Sequence, residues 1–188
     1  MSFITGKKFY SHVRFLFLTL VPVLAIAATG DIDPAKSTLT ATFKQEGVAV
    51  DAPFKKFSGH IVYDAKNVAA SSAMIDVQTA SFDMGSDDYN NEVRGKEWFD
   101  SATYPDAVFK SSAIKADGAN KFTASGTLTI KGKSVNLSVP VNVQTANGIS
   151  TFDGSIAISR AAFGIGDPSW KDVIEDKVTV RFHLVNTK

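Results

Sequence analysis

The chain contains no cysteine. Disulfide bonds, thiol nucleophiles and thiolate metal sites are therefore excluded. Histidine is nearly as scarce, with three residues: His12, His60 and His183. Histidines so dispersed, without cysteine, cannot build the usual zinc or transition-metal spacings. No Gly-x-Ser-x-Gly elbow, phosphate loop or dinucleotide glycine motif occurs. An excess of one charge is missing too. The 20 basic residues are met by 19 acidic ones with no basic block, so nucleic acid has no electrostatic reason to bind. The longest apolar run, residues 15–26, falls short of the roughly 20 residues that a spanning helix needs.

That run reads instead as the centre of a secretory leader. Lys7, Lys8 and Arg14 precede it, and Ala25-Ile26-Ala27 offers a small-x-small cleavage pattern. Cleavage is expected after Ala27, making 1–27 a signal peptide and 28–188 one domain of ordinary size. The leader takes three basic residues and no acidic ones, so the remainder carries a net charge of −2. A bacterial-type leader on a cysteine-free chain points to the periplasm.

Alternation is what the sequence has in abundance. Leu39, Ala41 and Phe43 share one parity, as do Phe57, Gly59, Ile61 and Tyr63. Ala73, Ile75 and Val77 repeat the pattern, followed by Ala107 and Phe109. Phe122 to Ile130 and Val135 to Val143 form a hairpin, with a turn predicted over Lys131–Ser134. Phe152, Gly154, Ile156 and Ile158 follow, then Val178, Val180, Phe182 and Leu184. Eight amphipathic strands predict an all-β fold, an eight-stranded antiparallel barrel closed to protect its edges. Residues 86–97 break the alternation behind a Ser–Asp start and predict a short helix. Residues 164–172, rich in Gly, Pro and Asp, predict a loop.

The inward positions include Ala41, Gly59, Ala73, Ala107, Ala124, Gly126 and Gly154. Such small residues either leave a tunnel for a ligand or alternate with large ones to fill a solid barrel, and composition leaves both open. His60 and His183 fall on the polar parity, away from that interior. The acids Asp87, Asp88 and Glu92 suit the first turns of a helix. Arg160 continues the inward parity of its strand. A buried guanidinium needs a partner, either a carboxylate of the protein or a ligand headgroup. Trp98 and Trp170 either plug one barrel end or line an entrance.

Several segments then resemble one family in order. They are "DIDPAKSTLTATFKQ" (31–45), "FKKFSGHIVYD" (54–64), "NNEVRGKEWFDSATYPDAVFKS" (90–111), "GTLTIKGKS" (126–134) and "SRAAFGIG" (159–166). They resemble the YceI-like family, secreted lipocalin-like barrels that bind polyisoprenoid or other long-chain lipids. The resemblance implies a carrier with no catalytic residues, no metal and no cofactor, its lipid tail lying inside the barrel. Phe43, Phe57, Ile75, Phe109, Leu128, Val139, Ile156 and Phe182 would line the tail, and Gly126 would make room for it. Asn90, Arg94 and Arg160 are expected near the headgroup, with Trp98, Phe163 and Trp170 among the other ligand-binding residues. A quinone is one ligand that the family context suggests, with a membrane cytochrome of the b561 type as partner. The helix "DDYNNEVRGKEWF" lacks the Arg-Asp and His of many relatives, so a headgroup identity does not carry over. The competing expectation is a solid barrel acting through its surface, as an interaction or stress-response partner of such a cytochrome.

Overall fold

The computed structural model describes residues 28–186; the expected leader, 1–27, lies outside them. The strands are β1 (Ala28–Asp31), β2 (Thr38–Gln45), β3 (Val48–Pro53), β4 (Phe57–Tyr63) and β5 (Ser72–Gln78). The helix α1 (Asp87–Arg94) follows. Then come β6 (Asp106–Gly118), β7 (Lys121–Ile130), β8 (Lys133–Ala146), β9 (Ile149–Ser159) and β10 (Lys177–Val185). All eight predicted strands are present in their predicted parity. The predicted loop carries a short 3-10 turn, Pro168–Asp172, whose Ser169 N–H donates to the Asp167 side chain.

The strand count differs from the expectation: there are ten. β3 follows β2 through Glu46–Gly47, which both hold positive φ, 51° and 78°. Paired left-handed residues of this kind give the tight turn whose twist matches a hairpin. β3 buries only Ala52 fully, so its alternation is faint. The turn of the β7–β8 hairpin is also shorter than predicted. Lys131 and Gly132 alone make it, at φ 49° and 71°, and Ile130 already pairs with Lys133. Ser134 belongs to β8, its hydroxyl 2.8 Å from that of Thr129.

Consecutive strands β4 to β10 form an antiparallel meander, with β1 added beside β4 and the β2–β3 hairpin beside β10. Residues 32–37 alone connect β1 on one flank to β2 on the other. Extended, that segment spans about 20 Å, so the sheet must curl to bring its flanks together. Its backbone does the joining. Ile32 N–H donates to Gly59 of β4 and Asp33 N–H to Val185 of β10. The wall is therefore a curled sheet stitched at its seam, with β1 and β3 as formal edges, and not the continuous closed ladder expected. A second stitch joins Phe54 to Phe82.

The interior packs as two separate clusters. One gathers Phe82, Val93, Trp98, Phe99, Phe163 and Ile174 at the helix end. The other gathers Ile32, Ile61, Phe122, Val143, Phe152 and Leu184 at the opposite end. Phe54, Phe82 and Phe99 interlock in the first, with ring centroids 4.9 to 6.1 Å apart. Tyr63 stands edge-on to Phe122 and Phe152 in the second, at 5.5 and 5.9 Å. A domain of this size ordinarily has one contiguous core.

Candidate functional site: an apolar cavity through the curled sheet

Between those clusters runs a cavity of about 360 Å³, lined by members of both. Its size falls within the roughly 300–1,000 Å³ of ligand clefts. Ile75, Phe109, Leu128, Ile156 and Phe182 point into it, and they are only half-buried because the space in front of them is open. The wall is almost wholly apolar, so it offers a hydrocarbon nothing to desolvate.

The small inward residues do not all create that space. A β-carbon on Gly126 would collide with the Lys110 carbonyl and stand 2.8 Å from the Phe109 ring. On Gly154 it would meet the Phe182 ring and the Pro140 carbonyl, and on Gly59 Ile32 and Ile75. These glycines lie beneath neighbouring large side chains, which occupy the volume they leave. Gly126 also faces the β6 bulge between Ser111 and Ala113. Its expected role as room for a ligand is therefore corrected. Ala41, Ala73, Ala107 and Ala124 do line the cavity.

One end is built by α1 and the loop before β10. Tyr89, Glu92 and Val93 lie on one helix face, at i, i+3 and i+4, and all three line the cavity. Val93 is buried in the core while Tyr89 stays 58% exposed, so the lining reaches solvent here. Trp98 donates its indole N–H to Glu92 at 3.3 Å and packs 5.5 Å from Trp170, ring centroid to centroid. Both tryptophans line the cavity beside Gln45 and Met84.

Arg160 lies at the same end, 6% exposed, immediately after β9. Its Nε donates to Glu175 O at 3.3 Å, Nη1 to Ile165 O at 2.8 Å and Nη2 to Ile174 O at 2.9 Å. These bonds tie residues 161–166 to 173–176 and hold both loops over the barrel end. The carboxylate partner considered from the sequence is not in contact: Arg160 forms no ion pair among the described residues. The nearby Asp176 accepts instead from Ala161 N–H and the Ser159 hydroxyl, both at 2.9 Å. Those bonds and, more weakly, the Arg160 charge hold its carboxyl below the ordinary value. At the far end burial pushes the Tyr63 phenol up, helped by the neighbouring Asp64.

Ten sequence-predicted residues line the cavity: Phe43, Ile75, Trp98, Phe109, Leu128, Val139, Ile156, Arg160, Trp170 and Phe182. Phe57, Asn90, Arg94, Gly126 and Phe163 are outside its lining. Asn90 accepts from Met84 N–H and donates to Asp83, fixing the loop before α1. Arg94 is exposed and donates to Ala80 O and Asn91. Phe163 is 1% exposed in the first core cluster, and Phe57 packs against the second. Tyr89, Glu92, Gln45, Met84 and Tyr63 are lining residues that the sequence reading missed. A helical projection of 86–97 centred on Tyr89 would have put Glu92 and Val93 on its two sides, with Asn90 and Arg94 further round the helix. His60 and His183 are outside the lining, with Nδ1 2.9 Å from Asp31 and 2.6 Å from Asp153.

A curled antiparallel meander enclosing an apolar cavity, with one helix at its end, is a lipocalin-like architecture. The chain belongs to the YceI-like domain family, whose sequence pattern matches residues 31–186. It is 28% identical over 129 residues to Protein YceI of Escherichia coli, covering 67% of each chain. A UPF0312 protein of Vibrio cholerae is 29% identical over 131 residues, 68% of this chain and 69% of that one. Among solved structures, Burkholderia cenocepacia BcnA is 44% identical at a TM-score of 0.81, covering 83% of this chain and 99% of BcnA. A polyisoprenoid binding domain from Saccharophagus degradans shares the fold at 19% identity and a TM-score of 0.70, covering 87% and 100%.

Proposed function

We propose that this protein carries an isoprenoid or comparable long-chain amphiphile in the periplasm, with the apolar tail in the cavity and the head at the α1 end. The observation that carries this reading is the apolar cavity that divides the core in two. A solid barrel would have joined the clusters and buried Ile75, Phe109, Leu128, Ile156 and Phe182 outright. The fold shared with a domain described as polyisoprenoid binding supports the same class of ligand. A quinone fits the description, with a membrane cytochrome of the b561 type as the partner that would supply or receive it. The leader-like pattern of residues 1–27, basic residues ahead of a short apolar run and Ala25-Ile26-Ala27, is what supports the location.

Burial of each methylene contributes about 0.8 kcal/mol before ordering costs. Affinity should therefore climb with tail length until the cavity is full. Delipidated protein titrated with isoprenols of increasing length tests this. A steady rise and then a plateau is expected, whereas affinity independent of length would remove the cavity from the function.

A further inference from the structure

The far end of the cavity is closed in two different ways. On the seam side Ser37, Ser150 and Asn186 are buried, and none of them lines the cavity. Ser37 accepts from Val185 N–H at 2.9 Å, and Asn186 N–H donates to Ser150 O at 3.0 Å. A passage there would leave buried main-chain groups without partners, which is costly. Beside the seam the closure is a ring. Tyr63 lines the cavity and stands edge-on to Phe122 and Phe152, which are both buried. Tyr63 itself is half-buried and is the last residue of β4. Its ladder partner is Ala28 of the edge strand β1, while the pairing of β4 with β5 stops at Val62. Val62 faces outward by parity and yet borders the cavity, as does Ser71. The lining thus runs up to the end of β4, where the closure is a side chain rather than a backbone crossing.

From this we propose that Tyr63 is the stop that sets the longest tail the cavity takes in full. The inference rests on the lipid-carrier reading and adds a length limit to it. A tail entering from the α1 end passes between the two core clusters, and its tip meets the Tyr63 ring. A fitted apolar pocket separates chains that differ by one methylene by about tenfold or more, so a stop at this point selects for length. Phe122 and Phe152 have ladder partners on both sides, so losing either ring would leave a hole within the wall. Losing the Tyr63 ring, at a strand end paired on one side, opens a way out.

The test titrates delipidated mature protein with isoprenols from geraniol to solanesol, lengthened one isoprene unit at a time. Affinity should rise and level off in the wild type, and in Tyr63→Ala it should keep rising for at least one further unit. The first isoprenol beyond the wild-type limit should bind the variant about tenfold tighter. Geraniol, too short to reach the ring, should bind both alike, whereas a merely structural loss would weaken every isoprenol together. Tyr63→Phe keeps the ring and should keep the limit. A second reading needs no substitution. Beyond residues 1–27 the tyrosines are Tyr63, Tyr89 and Tyr104; Tyr89 lines the α1 end and Tyr104 is outside the lining. With isotope-labelled tyrosine rings, the Tyr89 signal should shift with every isoprenol that binds. The Tyr63 signal should shift only from the length at which affinity levels off, with Tyr104 as the reference. This result stands even if Tyr63→Ala unfolds. An unchanged limit in folded Tyr63→Ala, or a Tyr63 signal that geraniol moves as far as the longest isoprenol does, would overturn the stop and leave the carrier reading intact. Binding of no isoprenol would overturn both.

Discussion

The Phe109 ring lies over Gly126 of the neighbouring strand, its Cζ 2.8 Å from where a β-carbon would stand. The glycine thus accommodates a ring and the bulged backbone of β6. Gly126→Val should destabilise the protein by about 1–3 kcal/mol, because the Lys110 carbonyl and Ser111 Cα that the new side chain would meet are backbone and cannot swing aside as a side chain can. Denaturant melts check it. Unchanged stability would mean that the contact is loose.

Ala73 faces the cavity beside Ile61 and Ile75 without such a cover. Ala73→Phe should fill open space, so ligand-free stability should fall by less than the roughly 1–3 kcal/mol of an overpacked core. Isoprenol affinity should drop at least about tenfold. Melting temperature and titration, read together, separate a filled cavity from a damaged fold.

Trp98 and Trp170 are the only tryptophans of the chain, and both line the α1 end. A lipid seated there should shift tryptophan emission, and Trp170→Phe should reduce that change without abolishing it. Emission that ignores a bound lipid would put the ligand elsewhere.

Asp176 links the end of β9 to the strand that follows by accepting from Ala161 N–H and Ser159, and its pKa lies below the ordinary 3.8. A carboxyl lowered in the folded state contributes stability that is complete above the unfolded value and lost as pH falls through the folded one. Wild type should therefore lose stability below about pH 4 more steeply than Asp176→Asn, which lacks this titration. Melting temperatures from pH 6 to about pH 2.5 measure the difference; parallel curves would contradict it.

Much of this architecture was legible in residue alternation, because each strand shows one face to the interior and one to water. Leu39-Ala41-Phe43 and Phe122 to Ile130 reveal their faces directly. β3 was not legible, since an edge strand that fully buries only Ala52 leaves little pattern. The cavity wall was largely legible, with Phe43, Ile75, Phe109, Leu128, Val139, Ile156 and Phe182 where parity put them. The room expected at Gly126 was not there, because parity shows which way a residue faces and nothing of which neighbour leans over it. Arg94 and Asn90 misled for a related reason: an eight-residue helix has several faces, and only Tyr89, Glu92 and Val93 turn inward.

The most direct test of the central claim is native mass spectrometry of the protein purified without detergent, followed by solvent extraction. The account predicts one long-chain lipid per protein, lost on denaturation and identified in the extract as an isoprenoid or similar amphiphile. Protein that is consistently of bare polypeptide mass, and that takes up no isoprenoid when offered one, would contradict it.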